Sequence, residues 1–265
     1  MTIVEILTLH LKEGVDISDC PTTPEAQIWK TSIDRVRRQA GVEFLTYSHR
    51  VEDRRCIQMF VGWDTLSSHS RFKQDPDLPA TISNLRPLFT TFPTAFHVQF
   101  SPSSEDAKAL LLPQPLLLDT PTTIPIPAAT EAPITEIFLA YFTPAEEVSD
   151  KVMSTYSARV AEYHSRTEPA ARRCGQLGGG RYAGGWAIEE EVEVEVPTEL
   201  GTADLEEGSN SKSKARVYVG LSGWESTDAC GKFRESKEFQ ENIHLLQMAK
   251  AIEVFHIAHE QKPST

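Results

Sequence analysis

Two stretches of the chain repeat one order of hydrophobic and polar positions. Each opens on an alternating apolar run that contains a glutamate near its start, VEILTLHL (4–11) and TEIFLAYF (135–142). Alternation with a period of two predicts a strand. Each run is followed by a segment with apolar residues at helical spacing, PEAQIWKTSIDRVRRQA from Pro24 and VSDKVMSTYSARVAEYH from Val148. The pattern therefore predicts a strand and then a helix in both halves.

The repeat continues through four more elements. Two further strands follow each helix, VEFLTYSHRV and CIQMFVGW in the first half, GRYAGGWAIEEEVEV and ARVYVGLSGW in the second. A Gly-Trp box then leads into a second helical segment, GWDTLSSHSRF (62–72) or GWESTDACGKF (223–233), and a last strand follows, AFHVQF (95–100) or VFHIAH (254–259). Strand, helix, strand, strand, helix, strand is the ferredoxin-like order. We therefore predict an α+β fold of two ferredoxin-like units.

Two segments fall outside this repeat and set the domain boundaries. The units are expected at 1–100 and 134–265, joined by a linker at 101–133 that is rich in Pro and Leu. An acidic insertion at 189–214 carries most of the net charge of −12. Its first part alternates valine with glutamate, which favours an extended hairpin, and its tip has the composition of a disordered segment.

Composition narrows the class of protein. No run approaches the roughly 20 apolar residues of a membrane span, and the N-terminus lacks the features of a signal peptide. No basic stripe with interleaved aromatic residues occurs, which argues against nucleic acid and membrane partners. The four cysteines form no C-x-x-C pair and indicate free thiols in a reducing compartment. We expect a cytoplasmic protein that acts on a small hydrophobic or aromatic molecule.

The extended boxes GWDTLSSHSRFKQDPDL and GWESTDACGKFRESKEF resemble the strand-to-helix segment of one protein group, the antibiotic-biosynthesis-monooxygenase-like branch of the dimeric α/β-barrel superfamily. The resemblance implies that the two units form an intramolecular pseudo-dimeric α/β barrel, so that the monomer is a pseudo-dimer, with further homodimerisation left open. It names no reaction, because this superfamily contains cofactor-free oxygenases, polyketide cyclases, haem-degrading enzymes and binding proteins.

In this superfamily the cavity lies between the helices and the sheet of each unit, so polar residues on those elements are the candidates for chemistry. A histidine is the usual side chain for moving a proton near neutral pH. The predicted catalytic residues are His10, His69 and His97, and the expected substrate-binding residues are Tyr47, His49, Trp63, Phe72, Tyr141, Trp186, Trp224 and His256. Structural roles stay open for the same residues. His69 could cap a helix, His97 and His256 could lie at an interface between the two halves, and Trp63 and Trp224, where a strand turns into a helix, could pack beneath that helix.

These residues favour a biosynthetic enzyme of polyketide or aromatic metabolism, a cofactor-independent oxygenase or cyclase that uses histidine acid–base catalysis. No metal or other cofactor is expected, because the sequence holds no motif for one. One alternative is a non-catalytic or stress-associated protein that binds a hydrophobic ligand in the same cavity. The other is a haem-binding or haem-degrading monooxygenase. In the haem-degrading relatives that the resemblance implies, an axial histidine stands at the positions that Ile82 and Ile243 occupy here. His244 lies one residue further, about 100° round the helix.

Overall fold

The computed structural model describes residues 2–17, 22–100, 133–177, 182–195 and 212–258. The chain divides into two compact units, Met1–Gln99 and Phe100–Thr265. Nearly all of the predicted linker and the tip of the acidic insertion lie outside the described residues, so their predicted character stays a prediction.

The first unit has four strands and three helices in the predicted order. They are β1 (Ile3–His10), α1 (Pro24–Arg37), β2 (Val42–His49), β3 (Cys56–Trp63), α2 (Leu66–Lys73), α3 (Leu78–Leu85) and β4 (Thr94–Val98), with a 3-10 turn at Arg86–Leu88. The strands form one antiparallel sheet in the order β2-β3-β1-β4. This is the strand order of a ferredoxin-like unit.

The second unit repeats the arrangement with one extra strand. Its elements are β5 (Ile134–Phe142), α4 (Asp150–Arg173), β6 (Tyr182–Trp186), β7 (Val192–Glu195), β8 (Lys212–Trp224), α5 (Thr227–Arg234), α6 (Lys237–Asn242) and β9 (Ala251–Ala258), with 3-10 turns at Ala145–Glu147 and Ile243–Leu245. The sheet order is β6-β8-β5-β9, and β7 pairs with β8. The predicted hairpin extension in the acidic insertion is thus present.

Side-chain caps fix where α2 and α5 begin, the helices that follow the two Gly-Trp boxes. The Thr65 hydroxyl accepts a hydrogen bond from the amide of Ser68 at 3.2 Å, and the Ser226 hydroxyl accepts one from Ala229 at 3.1 Å. The sequence predicts a single second helix in each unit, but the structure divides it into two short helices in both units. Helices α2 and α5 therefore start from the same kind of cap, shortly after the Gly-Trp pair of each unit.

The register of the central strands places one glutamate of each unit beside the last strand. Glu5 on β1 pairs with Val61 and His97, and Glu136 on β5 pairs with Ser222 and His256. Side chains alternate along a strand, so Glu5 shares a face with Leu7 and Leu9, which pack into the core beneath the helices. Glu136 likewise shares a face with core residues of the second unit. Each glutamate therefore enters the layer between sheet and helices.

No helix in the described part of the chain is long and apolar enough to span a bilayer.

Candidate functional site

A buried carboxylate lies at the centre of the first unit. Glu5 is largely buried, and its Oε2 accepts a hydrogen bond from the indole Nε1–H of Trp63 at 3.0 Å. The Nε2 of His69 lies 3.5 Å from its Oε1. An ionised carboxylate removed from water needs such donors, because burial without them is costly. The corner tryptophan is therefore both a packed ring and a hydrogen-bond donor to Glu5.

Two buried histidines extend this contact. The Nδ1 of His69 lies 2.7 Å from the Nε2 of His97, and their ring centroids are 4.6 Å apart. The Trp63 ring lies against His69 at 5.0 Å and against Phe72 at 5.7 Å, so it forms one wall of the group. We call Glu5, His69 and His97 the Glu5 relay, because they form a continuous chain of polar contacts inside an apolar core.

The relay offers a defined path for a proton. Glu5 faces one nitrogen of the His69 ring and His97 faces the other. If Nε2 of His69 donates to Glu5, its Nδ1 accepts a hydrogen bond from His97 when His69 is neutral and donates one to His97 when His69 is cationic. A proton taken up by His97 can thus pass to His69, where the positive charge lies beside the carboxylate.

The equivalent layer of the second unit holds a different set of groups. The Oε2 atom of Glu136 accepts hydrogen bonds from the Cys230 thiol and the Arg234 guanidinium, both at 2.6 Å. His256 places its Nε2 3.4 Å from the same oxygen and 3.5 Å from the Cys230 sulfur. We call Glu136, Cys230, Arg234 and His256 the Glu136 cluster. In it the donors converge on one oxygen and do not form a chain.

The charge state of the Glu136 cluster is fixed by its neighbours. Burial alone would raise the pKa of Glu136, but His256, Arg234 and Cys230 together lower this pKa to about 2. Burial, followed by the nearby Glu136 charge, raises the pKa of the Cys230 thiol well above its usual range. At neutral pH the cluster therefore holds a carboxylate, a guanidinium and a protonated thiol.

The second unit also contains an aromatic chamber, formed by Tyr156, His164, Tyr182, Trp186 and Tyr218. The hydroxyls of Tyr182 and Tyr218 lie 2.6 Å apart, and the Tyr182 ring stacks on His164 at 3.7 Å. The Tyr156 hydroxyl and His164 Nε2 are shielded from solvent and have no hydrogen-bond partner among the described residues. Burial lowers the pKa of His164 to about 3 and raises the pKa of Tyr218 to about 12. These groups are neutral at physiological pH.

An open surface pocket of about 410 Å³ lies next to this chamber. Phe142 is part of its wall and contacts the rings of Tyr156 and Trp186 at 4.8 and 5.1 Å. The rest of the lining is mostly apolar, with one hydroxyl and two charged side chains: Thr143, Pro144, Glu147, Val148, Val152, Met248, Ala249 and Lys250. The volume is sufficient for a small aromatic molecule.

The structure brings together two of the three histidines predicted to be catalytic. His69 and His97 are buried and in contact, as described above. His10 lies at the exposed end of β1, and because side chains alternate along a strand it is on the sheet face opposite Glu5. His10 is therefore not part of the relay.

The other predicted residues of the first unit lie in two places. Trp63 and Phe72 border the relay. Tyr47 packs edge-on against Trp29 at 5.1 Å, in the same core. His49 is at the far end of β2, where its Nδ1 contacts the backbone oxygen of Arg54.

In the second unit the predicted residues are also divided. His256 is in the Glu136 cluster, and Trp224 is buried with its Nε1–H meeting no acceptor among the described residues. Trp186 belongs to the aromatic chamber and donates to the Ser157 hydroxyl at 3.0 Å. Tyr141 lies on the opposite sheet face from Glu136, and its hydroxyl donates to Glu253 at 2.7 Å.

Sequence reasoning missed the two glutamates and Arg234 as members of a site. The signal for the glutamates was present, because both halves place a glutamate near the start of the first strand, where an apolar residue would fit the alternation better. Cys230 stands at the position of His69 in the repeat and is likewise not among the predicted site residues. No comparable signal marks Arg234, which stands where the first half has Lys73.

Both clusters contain the residue types that bind metal ions. In the Glu5 relay, His69 uses both of its nitrogens on neighbours within the group, which suits proton transfer. In the Glu136 cluster, one atom from each of three residues lies near a common point. The haem alternative finds no matching ligand at His244, which is exposed with its Nδ1 2.9 Å from the Glu241 backbone oxygen.

No protein-family model matches the chain, and no curated protein matches its sequence. Solved structures match nearly its whole length. A candidate monooxygenase from Fusobacterium nucleatum is 9% identical, with 97% of this chain and 91% of that chain covered and a TM-score of 0.51. An anthrone oxidase-like protein is 11% identical, with 98% and 92% covered and a TM-score of 0.50. A candidate chlorite dismutase is 11% identical, with 98% and 95% covered and a TM-score of 0.50.

Similarity at this level of identity establishes a fold and no activity. The predicted resemblance is confirmed for the fold, while the closure of the two sheets into a barrel stays a prediction. The chain has the α+β fold, built from two ferredoxin-like units, that the dimeric α/β-barrel superfamily implies.

Proposed function

We propose that the first unit catalyses proton abstraction from an electron-rich phenol, anthrone or β-polyketone, and that the resulting carbanion reacts with dioxygen. The observation that carries this proposal is the contact of 2.7 Å between His69 and His97, with Glu5 on the other side of His69. Burying three titratable groups together lowers the stability of the fold, and such groups are found most often at functional sites. Moving a proton is the chemistry for which this arrangement is suited.

The relay performs the abstraction in two moves. His97 takes up the substrate proton and passes a proton from its Nε2 to Nδ1 of His69. His69 then becomes an imidazolium between His97 and the Glu5 carboxylate. The ion pair with Glu5 stabilises the charge that forms, as a carboxylate does behind a catalytic histidine. The Trp63 hydrogen bond keeps Glu5 facing His69.

Oxygenation completes the reaction without a resident cofactor. The carbanion and dioxygen form a peroxide anion, which takes back the proton held by the relay, and loss of water from the resulting hydroperoxide gives a ketone or quinone. One oxygen atom of dioxygen enters the product and the other leaves as water. A cyclase would use the same abstraction, but its carbanion would attack a carbonyl group of the same substrate and consume no dioxygen.

The proposal can be tested with anthrone as the probe and an oxygen electrode as the detector. Wild-type protein should accelerate dioxygen uptake above the uncatalysed rate, with anthraquinone as the product. Because proton transfer by a positioned side chain contributes about 10²–10⁴-fold, His69→Gln and His97→Gln should each lower the enzymatic rate by that order. His244→Gln changes an exposed histidine outside the relay and should leave the rate unchanged.

Three outcomes would count against the proposal. A wild-type rate equal to that of the doubly substituted His69→Gln/His97→Gln protein would favour the binding alternative. A loss in His10→Gln as large as in His97→Gln would move the chemistry to the opposite face of the sheet. Ring closure of a β-polyketone probe without dioxygen uptake would keep the relay but replace oxygenation with cyclisation.

A further inference from the structure

We infer that Glu136, Cys230 and His256 form a zinc site in the second unit. This inference does not depend on the function proposed for the first unit, because the two clusters share no residue. The ligand set of one thiolate, one imidazole and one carboxylate is typical of zinc, a borderline-soft ion that accepts sulfur, nitrogen and oxygen.

The distances between the three ligand atoms carry the argument. A tetrahedral zinc ion with ordinary bond lengths separates its S, N and O ligand atoms by about 3.3–3.7 Å. In the Glu136 cluster, His256 Nε2 lies 3.5 Å from Cys230 Sγ and 3.4 Å from Glu136 Oε2. The third edge, from Cys230 Sγ to Glu136 Oε2, is 2.6 Å, a thiol hydrogen bond. Two edges already fit, and the third opens when the thiol proton leaves.

The surroundings supply the other requirements of a metal site. Cys230 and His256 are buried, at 1% and 8% exposure, and they come from a helix and a strand that position them rigidly. The three protein ligands leave a fourth position for water, as in zinc sites with an open coordination position.

Without a metal ion, Arg234 supplies the positive charge beside Glu136. Its Nη2 lies 2.6 Å from Glu136 Oε2, and its side chain is 40% exposed, so it can turn into solvent. Without zinc, the carboxylate and the guanidinium balance and the thiol keeps its proton. With zinc, the two charges of the ion balance the carboxylate and the thiolate, and Arg234 is no longer needed. Because the thiol loses its proton when it becomes a ligand, binding of each zinc ion releases one proton.

The first unit provides the contrast. There the residue equivalent to Cys230 is His69, whose two ring nitrogens contact different partners, Glu5 through Nε2 and His97 through Nδ1. The Glu136 cluster differs in two respects: it contains a thiol, and a single histidine nitrogen approaches both of the other ligand atoms.

The test uses the full-length protein, zinc-free after dialysis against a chelator, and Co²⁺ as a spectroscopic substitute for zinc. Wild-type protein should bind one Co²⁺ with a thiolate-to-cobalt charge-transfer band, and Zn²⁺ should displace it. Titration calorimetry in buffers of different ionisation enthalpy should show one proton released for each zinc ion. Cys230→Ser and His256→Gln should lower zinc affinity at least about a hundredfold.

Two further variants show whether the ion binds at the Glu136 cluster or elsewhere on the chain. Arg234→Gln removes the competing cation and should raise zinc affinity about tenfold, within the usual range of coupling between ligands. Cys174→Ser removes a partly exposed thiol outside the cluster and should change nothing.

Four results would overturn the inference. Three of them are no charge-transfer band in folded wild-type protein, a band that survives Cys230→Ser, and binding that is lost only in His69→Gln. Retention of zinc binding by His256→Gln together with loss in Cys174→Ser would also overturn it. Circular dichroism of each variant distinguishes lost ligation from lost folding. Since none of these measurements uses turnover, failure of the zinc site and failure of the proposed oxygenase remain distinguishable.

Discussion

Replacement of Trp63 by phenylalanine should destabilise the first unit more than replacement of Trp224 destabilises the second. Both tryptophans stand at the same corner of the repeat, and both are buried, at 0% and 1% exposure. Trp63 donates from Nε1 to Glu5 at 3.0 Å, whereas Trp224 Nε1 has no partner within the described residues. The two substitutions therefore lose similar packing, but only Trp63→Phe removes a hydrogen bond to a carboxylate.

The size of the difference follows from that hydrogen bond. Hydrogen bonds to charged groups contribute about 1.5–3 kcal/mol to the free energy of unfolding. We expect Trp63→Phe to cost that much more than Trp224→Phe. Amide hydrogen exchange of β1 and β5 at increasing urea concentrations reports the unfolding free energy of each unit separately.

A double-mutant cycle provides the control for this comparison. In a Glu5→Leu background the acceptor is absent, so Trp63→Phe should cost about as much as Trp224→Phe does, within the roughly 0.5 kcal/mol of ordinary additivity. Equal costs for the two single substitutions in the unmodified chain would refute the claim that Trp63 supports the relay. The corner tryptophan would then be a packing residue in both units.

Three more outcomes are expected from the same structure. Gly220→Ala should lower the unfolding free energy of the second unit by about 1–3 kcal/mol in urea titrations, because the new Cβ would lie 1.9 Å from the Phe138 ring. Gly231→Ala meets open space on helix α5 and should instead stabilise it by about 0.5–1 kcal/mol. The pKa of His164 is about 3 in the folded protein and ordinarily 6.5, so only the unfolded chain takes up this proton between those values. Unfolding free energy should therefore fall by about 2 kcal/mol from pH 7 to pH 5, and an unchanged pH dependence in His164→Phe would contradict this origin.

The order of elements was predictable because it depends on local patterns. Alternating runs indicated β1 and β5, and the helical spacing that begins at Pro24 indicated α1. The division of the second helix in each unit was not predicted. In the first unit the break falls at residues 74–77, where the carboxylate of Asp75 accepts a hydrogen bond from the backbone amide of Asp77. Local turn chemistry thus overrides a continuous helical pattern.

The candidate site was less predictable, because both faces of β1 are apolar. Ile6 and Leu9 lie on opposite faces and are exposed by only 1% and 3%. Alternation alone therefore separates Glu5 from His10 but does not say which of them faces the helices. The contacts of Glu5 with Trp63 and His69 join residues 58 and 64 positions apart in sequence. Tertiary packing brings these residues together, and no local pattern specifies it.

One difference in side-chain shape accounts for much of the divergence between the two clusters. The imidazole of His69 has two nitrogens and reaches both Glu5 and His97. The thiol of Cys230 has a single polar atom on a short stem, so the Nε2 of His256 lies within 3.4 Å of Glu136 itself. A thiol that keeps its proton cannot balance the charge of a buried carboxylate, and a guanidinium can. Arg234 supplies it at the position where the first unit has an exposed lysine, Lys73. The same backbone frame thus holds, in one unit, a chain of polar contacts that can pass a proton and, in the other, a convergent, charge-balanced set.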